Sequence, residues 1–296
     1  KNRHLPYQGK QPFSICSVIM KCIIINGSVP GCNKIITGAP CQDSNDYIIL
    51  NDFWGLAIVS DGAGSMNDSH IASKFITDYA VNKCQQYLEK EKWYMNKEIP
   101  EPDVWRSFII SFLNQMNTDL KNHAAENDLN YEKMGATLIM ILFCKMGIVS
   151  VNIGDGRSCF QEKSSKKWFP ITKPFKGEEV GSTIFLNTEW IWEPSFIDEC
   201  IKTDIINIPF SSFALLSDGM ENYAFTCYTK NPDDFFYDPN EPYDKFFNSN
   251  ISTFKKMIKN GKALDEIKKC WAEYLSNGKN LKNEYDDKTM VIGILK

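Results

Sequence analysis

Apolar residues run along this chain in two rhythms. Short, nearly unbroken apolar runs, rich in β-branched residues, read as strands: "FSICSVIMKCIII" (13–25), "DYIIL" and "FWGLAIVS" around a turn at Asn51-Asp52, "DIINIPF", "FALLS" and the closing "KTMVIGIL". The longest apolar stretch, Ala136 to Gly154, is broken by Lys145 and Gly147. It reads as two short strands joined at "CKMG", since a membrane span needs about 20 unbroken apolar residues. A further strand starts near Arg157.

The second rhythm is helical. Ile71, Phe75 and Tyr79 begin a helix expected from about Asp68 to Trp93. Val104, Phe108, Phe112, Met116 and Leu120 recur every four residues and predict a helix over about 103–125. A short helix should open at Gly219-Met220, and a long one should cover 243–275 with a break at Asn260-Gly261. "GSVPGCNKIITGAP" reads as a loop, 174–204 as a flap or excursion, and the Pro-rich region 226–242 as a loop. Many strands, few helices and no regular βαβ alternation predict an α+β fold in one domain spanning 1–296: antiparallel sheets with helices packed outside.

Composition narrows the class. The 296 residues are 43% hydrophobic and 24% charged with net charge −4, which leaves no electrostatic footprint for nucleic acid or an anionic membrane. Ten cysteines lack any Cys-x-x-Cys pair, and several lie inside apolar runs, so reduced thiols in a cytoplasmic protein are the expectation. Three histidines are too few for a multi-His metal site. No secretory signal is visible, and a chain that starts at Lys1 says nothing of what precedes it.

The chemistry lies at strand ends. "AIVSDG" (57–62) and "ALLSDG" (214–219) each deliver an Asp from a buried strand. Asp155 follows "VSVNIG", Asp286 and Asp287 precede "KTMVIGIL", and Asp43 precedes "DYIIL". An Asp after a strand is usually a turn former. As a set, desolvated carboxylates brought together repel one another and need a cation. An oxygen-only acid site suits Mg²⁺ or Mn²⁺, so spacing alone points to a metal-dependent hydrolase.

The ordered motifs "CQDS" (41–44), "SDGAGS" (60–65), "GATLIMIL" (135–142), "NIGDGR" (152–157), "GEEVGSTIFL" (177–186), "ALLSDGMEN" (214–222) and "DDKTMVI" (286–292) resemble those of type-2C, PPM-family protein serine/threonine phosphatases, most closely the bacterial-type branch. The resemblance spans about 14–295 and implies a sandwich of two antiparallel sheets flanked by helices. It implies a water activated between two Mn²⁺ or Mg²⁺ ions attacking phosphoserine or phosphothreonine. By position, Asp61 resembles the bridging ligand, with the Gly62 carbonyl on the second metal. Asp218 and Asp286 resemble the other carboxylates of the first metal, Asp43 an outer carboxylate of the second, and Asp155 a ligand of a third, weaker ion. Phosphoprotein substrates and an opposing serine/threonine kinase follow as implied partners.

The sequence departs from that pattern at three places. Ala63 stands where many members carry a general-acid His, Gln42 where many have Glu, and no Arg precedes "CQDS"; Lys34 is the nearest cation for phosphate. Trp190 and Trp192, two apart in "EWIWEPSFIDE", would share a face at strand spacing and border the substrate peptide, or else cover a satellite core. The alternatives to an active protein phosphatase are a catalytically silent binding module and a phosphatase of small phosphoesters.

Overall fold

Strands that are apolar on both faces need cover on both faces, and the chain supplies it in layers. The computed structural model describes residues 21–177, 183–230 and 236–296. In chain order these residues form β1 (Cys22–Val29), α1 (Cys32–Thr37), β2 (Ser44–Ile49), β3 (Gly55–Ser60), α2 (Ser69–Leu88), α3 (Lys92–Met95) and α4 (Pro102–Glu126). Next come β4 (Leu138–Cys144), β5 (Gly147–Ile153), β6 (Arg157–Glu162), β7 (Trp168–Pro170), α5 (Ile197–Cys200), β8 (Lys202–Ile206) and β9 (Phe210–Leu216). The remainder holds α6 (Glu221–Ala224), β10 (Phe225–Thr226), β11 (Thr229–Lys230), β12 (Phe236–Tyr237), β13 (Glu241–Pro242), α7 (Asp244–Lys259), α8 (Leu264–Asn277) and β14 (Lys288–Leu295).

Two five-stranded antiparallel sheets carry the fold. One has the order β1-β14-β9-β6-β7 and the other β2-β3-β4-β5-β8. Their inner faces meet through Ala57, Val59, Ile139, Ile141, Phe143, Phe213, Leu215 and Val291. The Phe143 and Phe213 rings, one from each sheet, lie 4.6 Å apart. The alternate residues face outward onto helices: Leu56, Ile58, Met140 and Leu142 join α2 and α4, while Ala214, Leu216, Met290 and Ile292 join α7 and α8. Both faces being buried turns the expected polar/apolar alternation into continuous apolar runs. Each large side chain so covered contributes roughly 1.5–3 kcal/mol. The α+β sandwich predicted above is the observed architecture.

Several local expectations change. The first strand was expected over 13–25; residues 13–20 lie outside the described set, and β1 runs on to Val29 through Asn26, Gly27 and Ser28. Those polar residues are used at the seam between sheets, where Asn26 and Ser28 hydrogen-bond Asn45 at 2.6 and 2.7 Å. The expected loop "GSVPGCNKIITGAP" contains α1, closed by Gly38 in the left-handed region (φ 72) and burying no residue. The loop expected at 226–242 contains two small ladders, β10 with β13 and β11 with β12, and residues 231–235 lie outside the described set. "DIINIPF" forms its strand two residues earlier, as β8, and stops before Pro209.

The excursion 174–204 is a packed structure where it is described, residues 178–182 being outside that set. Ile184, Leu186, Ile191, Cys200 and Ile201 are buried in the core shared with α2 and α4. Trp190 and Trp192 fall in a single 3₁₀ turn, Glu189–Trp192, so they do not share a strand face. Trp192 packs on the core and donates to the Leu186 carbonyl at 3.1 Å. Trp190 is 42% exposed and meets Phe196 edge-on.

Among the described residues no helix is long and apolar enough to cross a membrane. The nine described cysteines are all unpaired.

Candidate active site

The two "SDG" segments end strands of opposite sheets, β3 and β9. Each letter has a local reason. The serines tie strand ends together: Ser60 donates to the Thr137 carbonyl at 2.6 Å, and Ser217 donates to Asp43 Oδ2 at 2.7 Å, bridging the sheets. The glycines allow close backbone approach. A Cβ on Gly62 would stand 2.6 Å from the Gln42 carbonyl oxygen, and one on Gly219 would stand 2.0 Å from that of Asp287. With both neighbours present, the aspartates between them are aimed at the same end of the sandwich.

Asp61 is the hub. Its carboxyl lies within hydrogen-bonding reach of both Asp43 and Asp218, and its backbone is pinned by reciprocal bonds with Thr137 at 3.0 and 2.8 Å. Burial, then the charges of Asp43 and Asp218, drive the Asp61 carboxyl far above the ordinary carboxylate range. Burial and the charge of Asp287 push Asp43 to about 7. Burial and the charge of Asp155 raise Asp218 to about 6. Asp155 is raised to about 6, again chiefly by desolvation. Asp286 lies at the exposed rim, and desolvation of its carboxyl followed by Asp218 raises it to about 6. The structure thus draws Asp43, Asp61, Asp155, Asp218 and Asp286 into one electrostatically coupled group, with the Gly62 backbone beside it.

This group fits a hard cation. Asp43 Oδ1 and Asp218 Oδ1 are buried acceptors without a hydrogen-bond partner, and buried acceptors are normally satisfied. A divalent ion would answer both the unpaired oxygens and the mutual repulsion. Among the described residues no three acid, Cys or His side chains already stand as a finished ligand set.

Lys34 does not point to open solvent as a phosphate grip would. Its Nζ is 2.7 Å from Asp287 Oδ2. Asp287, buried, also accepts from the backbone N–H of Gly31 at 2.8 Å and of Gln42 at 2.5 Å. The neighbouring aspartates divide their work accordingly: Asp286 faces Asp218, and Asp287 fastens the loop that carries α1 and Asp43. Gln42 is structural too. Its side-chain nitrogen lies 3.0 Å from the carbonyl oxygens of Ala63 and Met66 and 2.6 Å from Ser69 Oγ. It thereby holds the chain between Gly62 and α2, which a Glu could not do by donation.

Sequence reasoning missed a second charged network beside the acids. Arg157, with 0% exposure, donates to Glu221 at 2.9 and 3.0 Å, Asp238 at 2.6 Å and Asn240 at 2.7 Å. Lys176 Nζ reaches Glu221 at 3.2 Å, and its charge is felt at Asp155. The signal was Arg157 itself, a charged residue that opens β6, a strand whose first five residues are buried. Its partners are separated from it by 64 to 83 positions, which no spacing rule joins.

Residues 31–267 match the model of the family described as protein phosphatase 2C. The fold is similar to solved bacterial phosphatase structures. The catalytic domain of the serine/threonine protein phosphatase PstP, in complex with two manganese ions, matches with TM-score 0.54 and 16% identity over 93% of this chain and 99% of that one. The serine/threonine phosphatase Stp1 from Staphylococcus aureus matches with TM-score 0.53 and 16% identity over 100% and 99%. RsbX in complex with magnesium matches with TM-score 0.51 and 17% identity over 93% and 96%. No curated protein is similar at a significant level.

Proposed function

The chain belongs to the protein phosphatase 2C family, and from that premise we propose that it hydrolyses phosphoserine and phosphothreonine in proteins, with Mn²⁺ or Mg²⁺, as one cytoplasmic catalytic domain. The observation that carries this reading is the coupled aspartate group with its unpaired buried oxygens on Asp43 and Asp218. Two relatives with the same fold are described with manganese or magnesium.

Asp61 would bridge two ions, the Gly62 carbonyl and Asp43 would serve the second, Asp218 and Asp286 the first, and Asp155 an outer third. Bound there, divalent cations supply an acidified water and neutralise phosphate oxygens. The protein's own part is to hold the acids. Thr137 fixes the Asp61 backbone, Ser217 fixes Asp43 across the sheets, and Asp287 ties the loop ahead of Asp43. Arg157 and Lys176 offset the charge of Glu221 and Asp238 at the site's flank. Trp190, exposed on the excursion, is available to a substrate peptide; Trp192 is not.

A second reading, a silent member that binds phosphoproteins or a partner, is favoured by one observation: Lys34 is held by Asp287, so the nearest candidate cation is not free for phosphate. Hydrolysis of an aryl phosphate and of a phosphothreonine peptide, each with and without Mn²⁺, decides between them. Mn²⁺-dependent turnover supports the enzyme; no rate above background with saturating Mn²⁺ sinks it. Turnover of the aryl phosphate but of no phosphopeptide points to small phosphoesters.

A further inference from the structure

A cavity of about 750 Å³ opens between α6, the first half of α7 and the segment after α8. Its walls are aromatic: Tyr223, Phe246, Tyr243 at 50% exposure and Tyr274 at 41%. The Tyr274 ring is fixed by stacking at 5.4 Å on the buried Trp271. Lys245 and Lys279 reach the same space, and no Asp or Glu lines it. Both lysines are exposed and make no ion pair among the described residues. A basic, aromatic, carboxylate-free hollow on a chain of net charge −4 is a local reversal of sign.

The hollow is joined to the acid group. Helix α6 starts three residues after Asp218. On the wall, the Tyr223 hydroxyl donates to Glu284 Oε2 at 2.9 Å, and Glu284 Oε1 accepts from the backbone N–H of Tyr285 at 2.9 Å and of Asp286 at 3.3 Å. One carboxylate therefore separates the cavity wall from the backbone of Asp286. Three donors engage that carboxylate.

We infer that this cavity is a substrate subsite that receives an acidic stretch of the phosphoprotein, flanking the residue whose phosphate sits at the aspartates. Two unpaired ammonium groups supply the charge complementarity, and rigid tyrosine faces supply contact area for the peptide. The inference rests on the phosphatase reading for its use, and it adds a substrate class: phosphoproteins acidic around the target residue.

Binding tests it apart from turnover. A fluorescein-labelled, unphosphorylated peptide of ten residues rich in Glu and Asp is titrated with the full chain and followed by polarisation, beside a Lys-rich peptide of equal length. The acidic peptide should bind better, weaken with added salt, and lose roughly tenfold in affinity with Lys245→Glu/Lys279→Glu, as expected for two exposed charge contacts. Equal binding of the two peptides, or unchanged affinity in the variant at an unchanged melting temperature, would overturn the subsite. Displacement of the peptide by millimolar inorganic phosphate alone would make the hollow a small-anion site and overturn it as well. In the kinetic arm, the ratio of kcat/KM for acidic-flanked over basic-flanked phosphopeptides should fall about tenfold in the variant, through KM. Failure of the wild type to turn over any phosphoester strikes the phosphatase reading, while the polarisation arm still decides the subsite.

Discussion

Lys34 closes a 2.7 Å ion pair on Asp287 across 253 positions of chain. The pair joins α1 to the segment that delivers Asp286, and Asp287 takes two backbone N–H bonds as well. Asp287→Ala leaves three donors without their acceptor, one of them charged. The expected loss is about 3 kcal/mol, read as a lower urea midpoint at unchanged slope. Lys34→Met should cost less, because Lys34 keeps 19% of its side chain in water. Equal stability of Asp287→Ala and wild type would show that the pair does not fasten the loop.

Metal should act on stability as well as on rate. A cation that binds the folded acids and not the unfolded chain stabilises by about 2.7 kcal/mol at a hundredfold excess over its Kd. Mn²⁺ should raise the melting temperature and EDTA should cancel the rise. Asp61→Asn should abolish most of this response and reduce turnover by orders of magnitude. Asp155→Ala should weaken turnover yet keep most of the thermal shift. The same loss of thermal shift in both variants would contradict their separate roles.

The metal-free protein should be more stable in mild acid than at neutral pH. Asp43 is raised to about 7, and Asp155, Asp218 and Asp286 to about 6, from an ordinary value of 3.8. Between about pH 4 and pH 7 the folded state therefore binds more protons than the unfolded one. Stability falls as pH rises through that window, by about 1.4 kcal/mol per pH unit for each net proton. Denaturant midpoints at pH 5 and pH 7.5, in EDTA, measure this. Added Mn²⁺ should flatten or reverse the slope; a midpoint that rises with pH in EDTA would mean the carboxyls do not repel one another.

The two excursion tryptophans should part company on mutation. Trp192→Ala removes a ring packed on the core and orphans the Leu186 carbonyl, for an expected loss of about 2–3 kcal/mol and a clearly lower melting temperature. Trp190→Ala should leave melting nearly unchanged and reduce phosphopeptide turnover more than aryl phosphate turnover. Destabilisation of similar size in both variants would return Trp190 to a packing role.

The sequence made the sheets legible because their signals are local. An apolar run such as "GLAIVS" or "FALLS" needs no knowledge of its partners, and the four-residue spacing from Phe108 to Leu120 names the inward face of α4, although Val104, which starts the series, is 43% exposed. The aspartates were legible for the same reason, since each ends such a run. What stayed hidden is decided at long range. The partners of Lys34 and Arg157 are set by how the two sheets dock. Gln42 could be read only as the lack of a Glu, and the work of its amide stayed hidden because its three acceptors lie in the loop after β3 and at the start of α2. Helix α1 buries no residue, so no apolar stripe announces it. The pairing of Trp190 with Trp192 misled because a strand period was applied to a 3₁₀ turn.

The position of β14 bears on how the molecule is made. Residues Lys288–Leu295 lie between β1 and β9 and hydrogen-bond both. A nascent chain that has left the ribosome only as far as residue 280 holds the flanking strands of that sheet without the one that joins β1 to the rest. It also lacks Asp286 and Asp287. The layer against α7 and α8 cannot close, and the carboxylate group cannot be completed, until translation is almost past residue 295. Long-range strand pairing of this kind is slow, so in the interval the unfinished sheet presents open edges. Until β14 is added, β1 has no ladder to the rest of its sheet and the carboxylate group stays unfinished.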